Sequence, residues 1–478
     1  MFPAAPAETI PAEFRTAFLA QRAAAARDRQ PSLAARRADL HALHRLLAEN
    51  HDALIDAVNR DYGIRSRFET RMTELLQCQD AAKDAIRRVK RWMRPQRRHL
   101  DITQYPLAKA WVFPQPVGVV GIVVPWNFPI AMAFQPLICA LAAGNRVMIK
   151  MSENSNALAL LLKDLIPQYF AADKLALFED GGGRGPQFTQ LPFDHLFFTG
   201  SPATGRAVMA NCAANLTPVT LELGGKSPCI VAPDYPLREA ARRIVWTKLL
   251  NAGQVCTSVD YLLLPEGSVD AFVDHARAVA ASYYPNLENG DYSAIIDQRQ
   301  YDRLQLLLED ARARGARLVP LLPDQPGNAA RRILSPMLVL DVDDDMLIMR
   351  SEIFGPLLPV RTYRNRDEVV AYIGARYSPL AMYLYTRDRA LERWYLEHTI
   401  SGGVTVNDGM LHIGTPALPF GGVGHSGMGH YHGKEGFLTF SKLRPVFRQG
   451  PWRALNLLMP PYRGRAEKLL AFLLKRAG

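Results

Sequence analysis

The sequence predicts an α/β protein whose parallel sheets are covered by helices on both faces. Three observations carry that prediction. From residue 118 to about 222, short apolar runs ("VGVVGIVV", "NRVMIKMS", "LALFED", "HLFFTG", "PVTLELGG") alternate with helical stretches such as "SNALALLLKDLIPQYF". Alternation of this kind means βαβ units. A second alternating stretch runs from about 226 to 440. The chain has 478 residues with 48% hydrophobic content, enough for two or three domains with sizeable cores.

Taken in order, residues 12–95 read as helix-rich. Ser32 follows a proline and precedes periodic apolar residues, which marks a helix start. "RMTELLQCQDAAKDAIRRVKRWM" has helical spacing too. Residues 97–117, "RRHLDITQYPLAKAWVFPQPV", alternate and contain prolines, as an irregular hairpin arm does. Residues 110–145 carry no charged side chain and imitate a membrane span. Pro125, Pro129 and Pro136 would break a helix there, and Asn127 would face lipid. A buried strand, a polar turn and a helix are expected instead, in a soluble protein. From Leu443 onward the chain holds eight Lys/Arg against Glu467 alone, with "KLLAFLLKR" placing an apolar run between basic residues. Such a helix either packs across a partner subunit or lies on an anionic membrane surface.

The formal net charge of +11 favours acidic partners. No basic run interleaved with aromatics is present, however, and the excess is spread along helices such as "AARRADLHALHRLL". A solvated helix face accounts for it, and no nucleic-acid partner is expected. The N-terminus "MFPAAPAETIPAEF" has neither the basic region nor the apolar core of a secretory signal. The five cysteines (Cys78, Cys139, Cys212, Cys229 and Cys256) are scattered, with no C-x-x-C spacing. A reducing, cytoplasmic compartment and no structural zinc are expected.

The G-x-G-x-x-G match "GVGHSG", from Gly422 to Gly427, lies in a Gly-rich loop near the chain end, without the strand and helix of a dinucleotide fingerprint. "HLFFTGSPATGRAVMAN" is the better phosphate site: a strand end meets Gly200, Ser201 and Gly205, then a helix whose first N–H groups favour phosphate. Lys150 and Glu153 sit just past the strand "NRVMI", where open α/β sheets bind ligands. Asn127 in "VVPWNFP" offers a carboxamide N–H suited to an oxyanion, though alone it reads as a turn residue. Glu222 in "TLELGGKSP" is a strand-end carboxylate in apolar surroundings, which raises its pKa and suits a general base; a salt-bridged strand end is its ordinary reading. Cys256 in "NAGQVCTSVD" alone reads as one more small buried side chain. His425, His430 and His432 lack a third ligand at sensible spacing, so no metal is expected.

Together "PWNFP", "IKMSE", "FFTGS…G", "LELGGKSP", "GQVC", "EIFGP" and "PFGGVGHSGMGHYHG" resemble the aldehyde dehydrogenase superfamily. The 34 residues from Glu222 to Cys256 fit its pattern, and the resemblance covers about residues 30–445. It is similar to the class 3 branch, and within it to bacterial coniferyl aldehyde dehydrogenases. The resemblance implies a Rossmann-like NAD-binding domain (1–96 and 118–222), an oligomerisation hairpin arm (97–117), a catalytic domain (223–430) and a C-terminal segment (431–478) for oligomerisation or surface contact. It implies oxidation of an aromatic or medium-to-long-chain aldehyde to the acid by a homodimer. Cys256 would be the nucleophile, Asn127 and the Cys256 N–H the oxyanion donors, and Glu222 the base that activates water. Gly200, Ser201 and Gly205 would hold the pyrophosphate, Lys150 and Glu153 the adenosine ribose, and Glu352 and Phe354 the nicotinamide ribose and ring. Trp126 and Phe420 would line the aldehyde entrance. Glu153 points to NAD by repelling a 2′-phosphate, with NADP left open.

Two departures stand out. Met151 occupies a position where the family commonly has Pro. "CTSVDY" replaces the usual small residue and Pro, so Thr257 and Ser258 are expected to make one wall of the site polar. Two rival readings differ in their residues. A CoA-acylating relative generally lacks the Glu base, and a catalytically silent homologue would lose Cys, Glu or Asn; all three are present here.

Overall fold

The computed structural model describes residues 10–102, 104–460 and 462–477, without the side chains of 476 and 477. Residues 1–9, on which the expectation of no secretory signal partly rests, lie outside the described residues, as does the side chain of Arg476. Helices Ala12–Arg27, Leu33–Glu49, His51–Tyr62 and Gln77–Trp92 build the first hundred residues. Ser32 caps the second of these by accepting the Ala35 N–H at 3.1 Å, the role its position in the sequence predicts.

The first strands are β1 (Gln96–Arg98) and β2 (Lys109–Pro116). Five parallel strands follow: β3 (Val119–Val123), β4 (Arg146–Lys150), β5 (Leu175–Phe178), β6 (His195–Gly200) and β7 (Val219–Leu223). The chain then crosses to β8 (Pro228–Val231), β9 (Tyr261–Pro265), β10 (Arg317–Pro320) and a small ribbon of β11 (Gly327–Asn328) with β12 (Ile333–Leu334). Next come β13 (Met337–Leu340), β14 (Leu357–Tyr363), β15 (Ala381–Tyr385) and β16 (Gly403–Val406). The last are β17 (Gly427–Met428) and β18 (Ser441–Arg448).

The first sheet runs β17-β7-β6-β3-β4-β5 and the second β10-β13-β14-β9-β8-β15-β16. Only β17 and β10, at the edges, are antiparallel to their neighbours. Strands β3, β8 and β15 are buried at every residue, as parallel strands covered on both faces must be. The chain leaves β3 toward β4 and β5, then returns to place β6 on the other side of β3. That reversal opens a crevice at the carboxyl ends of β3 and β6, where α/β sheets take ligands.

The expected arm and the expected C-terminal segment share one sheet, ordered β1-β2-β18. β18 pairs with β2 antiparallel from Ser441↔Pro116 to Arg448↔Lys109. The match "GVGHSG" forms a single turn at Gly424–Ser426 and then β17.

The uncharged run 110–145 becomes β2, β3, a turn and helix Pro129–Ala143. The prolines correct one expectation. Pro129 opens this helix, where its missing N–H costs nothing, and Pro136 lies inside it. The helix is buried along all but Met132, so packing outweighs the lost bond. Glu74 caps its start, accepting the N–H groups of Ile130 (2.7 Å) and Ala131 (3.1 Å), which places a carboxylate at the positive helix end. No helix among the described residues is long and apolar enough to cross a membrane.

Candidate active site

A cleft runs from the carboxyl ends of the first sheet to the amino ends of β9 and β14. Its outer part is lined by Lys150, Glu153, Gly200, Ser201, Thr204 and Asn211. Its inner part is lined by Asn127, Glu222, Cys256, Arg303, Glu352 and Phe354. Pro125, Trp126, Thr199, Gly200, Ser201 and Gln300 line both parts, so the cleft is continuous. Ten of the twelve residues singled out in the sequence meet here.

At the outer end the Lys150 ammonium, 6% exposed, pairs with Asp180. Glu153 is exposed at the rim and accepts from Ser152 Oγ at 3.2 Å. Ser201 caps helix Pro202–Ala213 by accepting the Thr204 N–H at 3.2 Å. Gly200 precedes it at the end of β6. Gly205 is buried within that helix, where an added Cβ would stand 2.7 Å from Leu223 Cδ2. Its smallness lets helix and β7 approach, and it does not line the cleft.

At the inner end Glu222 is 2% exposed and neither carboxylate oxygen has a hydrogen-bond partner. Burial pushes its pKa well above the usual carboxyl range. Cys256 is half-buried. Burial first, then Glu352 and Glu222, push its thiol up to about 12, opposed by hydrogen bonds from its own N–H and that of Thr257. Glu352 is itself pushed up to about 8 by burial and the Asp260 carboxylate. Asn127, 4% exposed, donates from Nδ2 to the Gln254 carbonyl at 3.2 Å. Its own carbonyl accepts from Arg65 (2.6 Å), Tyr62 (3.1 Å) and Asn251 (3.2 Å). Arg65 is paired at 3.3 Å with Glu74, and both side chains are fully buried. Breaking such a pair costs about 3–5 kcal/mol.

The loop bearing Cys256 turns through left-handed backbone at Asn251 (φ 50°), Ala252 (φ 50°) and Gly253 (φ 74°). A side chain at Gly253 would collide with the Gly355 carbonyl, so glycine permits the close approach to the loop carrying Glu352 and Phe354. That second loop is clamped from three sides. Arg303 donates to the Ile353 carbonyl at 2.6 Å, Asp260 accepts the Ile353 N–H at 2.8 Å, and Lys226 pairs with Asp260 while donating to Ile348 (2.8 Å) and Ser351 (3.1 Å) carbonyls.

Trp126 lines the cleft and meets Phe354 edge-on, with ring centroids 5.3 Å apart. Phe420 is 3% exposed, packed against Tyr431 and stacked on His432 at 5.6 Å, and is not among the cleft-lining residues. Thr257 and Ser258, expected to make a wall polar, are 0% and 5% exposed and do not line it either. The loop turns them into the core behind Cys256, where Tyr383 donates to the Thr257 carbonyl. His425 stacks on Tyr377, His430 is exposed and His432 is buried. Among the described residues no group of three or more His, Cys, Asp or Glu is placed to hold a metal.

Sequence reading missed Asp180, Gln300, Arg303 and Asp260. Asp180, in "FEDGGG", ends a strand segment of the kind that carries Lys150 and so had a signal. Gln300 and Arg303 come from helix Gln298–Ala313, whose sequence carries none.

The model of the aldehyde dehydrogenase family matches residues 3–446. The chain is 47% identical over 454 residues to a probable coniferyl aldehyde dehydrogenase of Pseudomonas aeruginosa, covering 95% of this chain and 94% of that protein. It is 44% identical over 433 residues to a coniferyl aldehyde dehydrogenase of a Pseudomonas species, covering 90% and 89%. Among solved structures, the substrate-bound state of Staphylococcus aureus AldH superposes with a TM-score of 0.89 at 32% identity, covering 96% of this chain and 99% of that one. A Mycobacterium tuberculosis aldehyde dehydrogenase complexed with NAD+ superposes with a TM-score of 0.82 at 26% identity, covering 92% and 90%.

Proposed function

The chain belongs to the aldehyde dehydrogenase family, and from that premise we propose that it oxidises hydrophobic, above all aromatic, aldehydes to carboxylic acids with NAD(P), using Cys256 as nucleophile and Glu222 as base. One observation carries the reading: a thiol, an unpaired buried carboxyl and a carboxamide line the inner end of a single cleft whose outer end holds a strand-end lysine and a helix N-terminus.

The residues present fit a dinucleotide. Gly200, Ser201 and the first N–H groups of helix Pro202–Ala213 favour its phosphates. Lys150 and Glu153 stand where ribose hydroxyls would be held, and Glu352 and Phe354 flank the inner end. When bound, NAD(P)+ supplies the hydride acceptor and a positive charge. Cys256 loses its thiol proton to solvent, its Sγ then adds to the carbonyl carbon, and the carbonyl oxygen takes up negative charge. The Asn127 carboxamide keeps one N–H on Gln254 and has its second for that oxyanion, beside the Cys256 N–H. With the hydride removed, the acyl group stays on Cys256 as a thioester. Glu222 then takes a proton from water, which attacks the thioester and releases the acid. A carboxyl with a raised pKa is a stronger base than an exposed one, and having no partner of its own Glu222 is free to hold that water.

Coniferyl aldehyde dehydrogenases among the relatives and the flat Trp126 ring in the cleft support an aromatic substrate, since buried apolar area contributes about 25 cal/mol per Å² and acetaldehyde has little to bury. NADH formation with coniferaldehyde, benzaldehyde, hexanal, decanal and acetaldehyde tests this. Coniferaldehyde should show the highest kcat/KM, and acetaldehyde matching it would overturn the substrate class. Thr257 and Ser258, buried behind Cys256, are not available to a phenolic group.

A homodimer is supported by the exposed β1-β2-β18 sheet, on which Leu443 and Phe447 are 41% and 49% exposed. The C-terminal helix Arg465–Ala477 leaves Leu470, Phe472, Leu473 and Leu474 uncovered beside Lys468 and Lys475. Sedimentation velocity of full-length and tail-deleted protein assigns this face to the partner subunit if deletion yields monomer. Liposome co-sedimentation that falls on deletion assigns it to an anionic membrane.

A further inference from the structure

Cys256 and Asn127 come from different sheets, yet their relative position decides whether an oxyanion formed on one is met by the other. We propose that Asn251 is a positioning residue that locks the loop of Asn127 to the loop of Cys256, and that Glu69 holds Asn251 in place; the proposal rests on the roles given above to Cys256 and Asn127. Asn251 Nδ2 stands 3.2 Å from the Asn127 carbonyl, 3.1 Å from the Gln254 carbonyl and 3.3 Å from Tyr62 Oη. The Gln254 carbonyl is also the acceptor for Asn127 Nδ2. One amide thus ties both the backbone of Asn127 and the atom that orients its side chain to the turn five residues before the nucleophile. Asn251 is fully buried and does not itself line the cleft, so it acts through Asn127 and Cys256.

Glu69 completes the brace from below. Its Oε2 accepts the Asn251 N–H at 3.0 Å and the Ser293 hydroxyl at 3.1 Å. Three consecutive left-handed residues, two of them not glycine, are disfavoured unless the surroundings impose them. The Glu69 contact is anchored at the first of the three. Gln254 secures the far end, donating to the Asn251 carbonyl (2.9 Å) and the Ala294 carbonyl (3.0 Å) and accepting the Ile296 N–H (3.0 Å). Burial pushes the Glu69 carboxyl up to about 7, so an amide is a fair substitute for its protonated form.

The test uses the purified full-length enzyme with NAD and coniferaldehyde. Asn251→Gly keeps the left-handed backbone accessible and removes the amide. It should slow the pre-steady-state NADH burst at least about tenfold, since small misplacements of reacting groups cost up to about a hundredfold. Aldehyde KM and NAD binding should change less than about twofold, because uniform binding is untouched. Alkylation of Cys256 by iodoacetamide needs no oxyanion donor and should stay within about threefold of wild type. Glu69→Ala should reproduce this split, and Glu69→Gln, which retains an acceptor oxygen, should return the burst to within about threefold. An unchanged burst in folded Asn251→Gly, alkylation falling in step with the burst, or Glu69→Gln as impaired as Glu69→Ala would each overturn the brace. A wild-type acyl adduct on a cysteine other than Cys256 would instead remove the reading on which it stands.

Discussion

The two ends of the cleft solve opposite problems. At the outer end the polar groups are already satisfied within the protein: Lys150 is paired with Asp180, Ser201 caps a helix, and Glu153 faces solvent. At the inner end they are not. Glu222 is buried with both oxygens unpaired, and burial, with two carboxyls beside it, pushes the Cys256 thiol up. Leaving a buried polar group unpaired costs about 1–3 kcal/mol or more for a charged one, so the inner end is maintained at the expense of stability. The contrast teaches which end binds and which reacts. Satisfied groups hold a ligand in a fixed frame, whereas unsatisfied ones keep capacity for bonds that form only during the reaction.

The comparison breaks most sharply at Cys256. Cys256→Ala should lower turnover by at least about 10⁴-fold, the scale on which loss of a nucleophile is felt, while NAD binding by fluorescence titration at the outer end is retained. Residual turnover above a hundredth of wild type in the folded variant would mean that the inner end is not built around this thiol.

Next in size is Glu222→Gln. General-base catalysis contributes about 10²–10⁴-fold, so steady-state turnover should fall by that order with the NADH burst preserved. Mass spectrometry should find the acyl group on Cys256. Loss of burst and steady state together, without adduct, would place Glu222 in an earlier step.

The outer end should respond differently. Lys150→Met removes the proposed hydrogen-bond donor to the cofactor and should raise the KM for NAD about tenfold, in line with about 1.5–3 kcal/mol for a charged hydrogen bond. Its kcat should change less than about twofold, because the binding it removes is uniform. A kcat loss with unchanged KM would erase the distinction between the two ends.

The smallest effect is on stability against pH. Glu69 and Glu352 have pKa values raised to about 7 and about 8 from 4.5. Between 4.5 and those values the folded state binds more protons than the unfolded state, so stability falls as pH rises. Above about pH 6.5, where the opposing contribution of the buried histidines His195, His412 and His432, whose pKa values burial lowers, has faded, Tm should decline up to pH 8, and Glu69→Gln should flatten the part of that slope below about pH 7. A Tm that rises over this range in the wild type would show that these carboxyls are ionised and paired.

Part of the cleft was legible because strand ends carry their signal in the chain itself. Glu222, Lys150, Gly200 and Asn127 each follow or close a short apolar run, and the carboxyl edge of a parallel sheet gathers such residues wherever the helices lie. Cys256, Glu352 and Phe354 follow no such rule. They precede β9 and β14 and reach the cleft from the amino ends of the second sheet, and only their motif resemblance marked them. Gly205 and Phe420 carry the same motif signal as Gly200 and Trp126, yet one serves close helix–strand packing and the other lies in the core.

By itself, then, the amino-acid sequence determined the α/β class, the family and a short set of residues gathered at one edge of a sheet, because periodicity and strand-end position are local properties of the chain. Tertiary structure alone decided what those residues can do. That Lys150 is paired and Glu222 is not, that Thr257 and Ser258 turn away from the cleft, that Gln300 and Arg303 enter it, and that Asn251 links Asn127 to the turn before Cys256 all depend on contacts between segments distant in the chain or on the direction of a single turn. Burial and hydrogen-bond satisfaction are properties of the packed ensemble of elements, and no stretch of sequence contains its own neighbours.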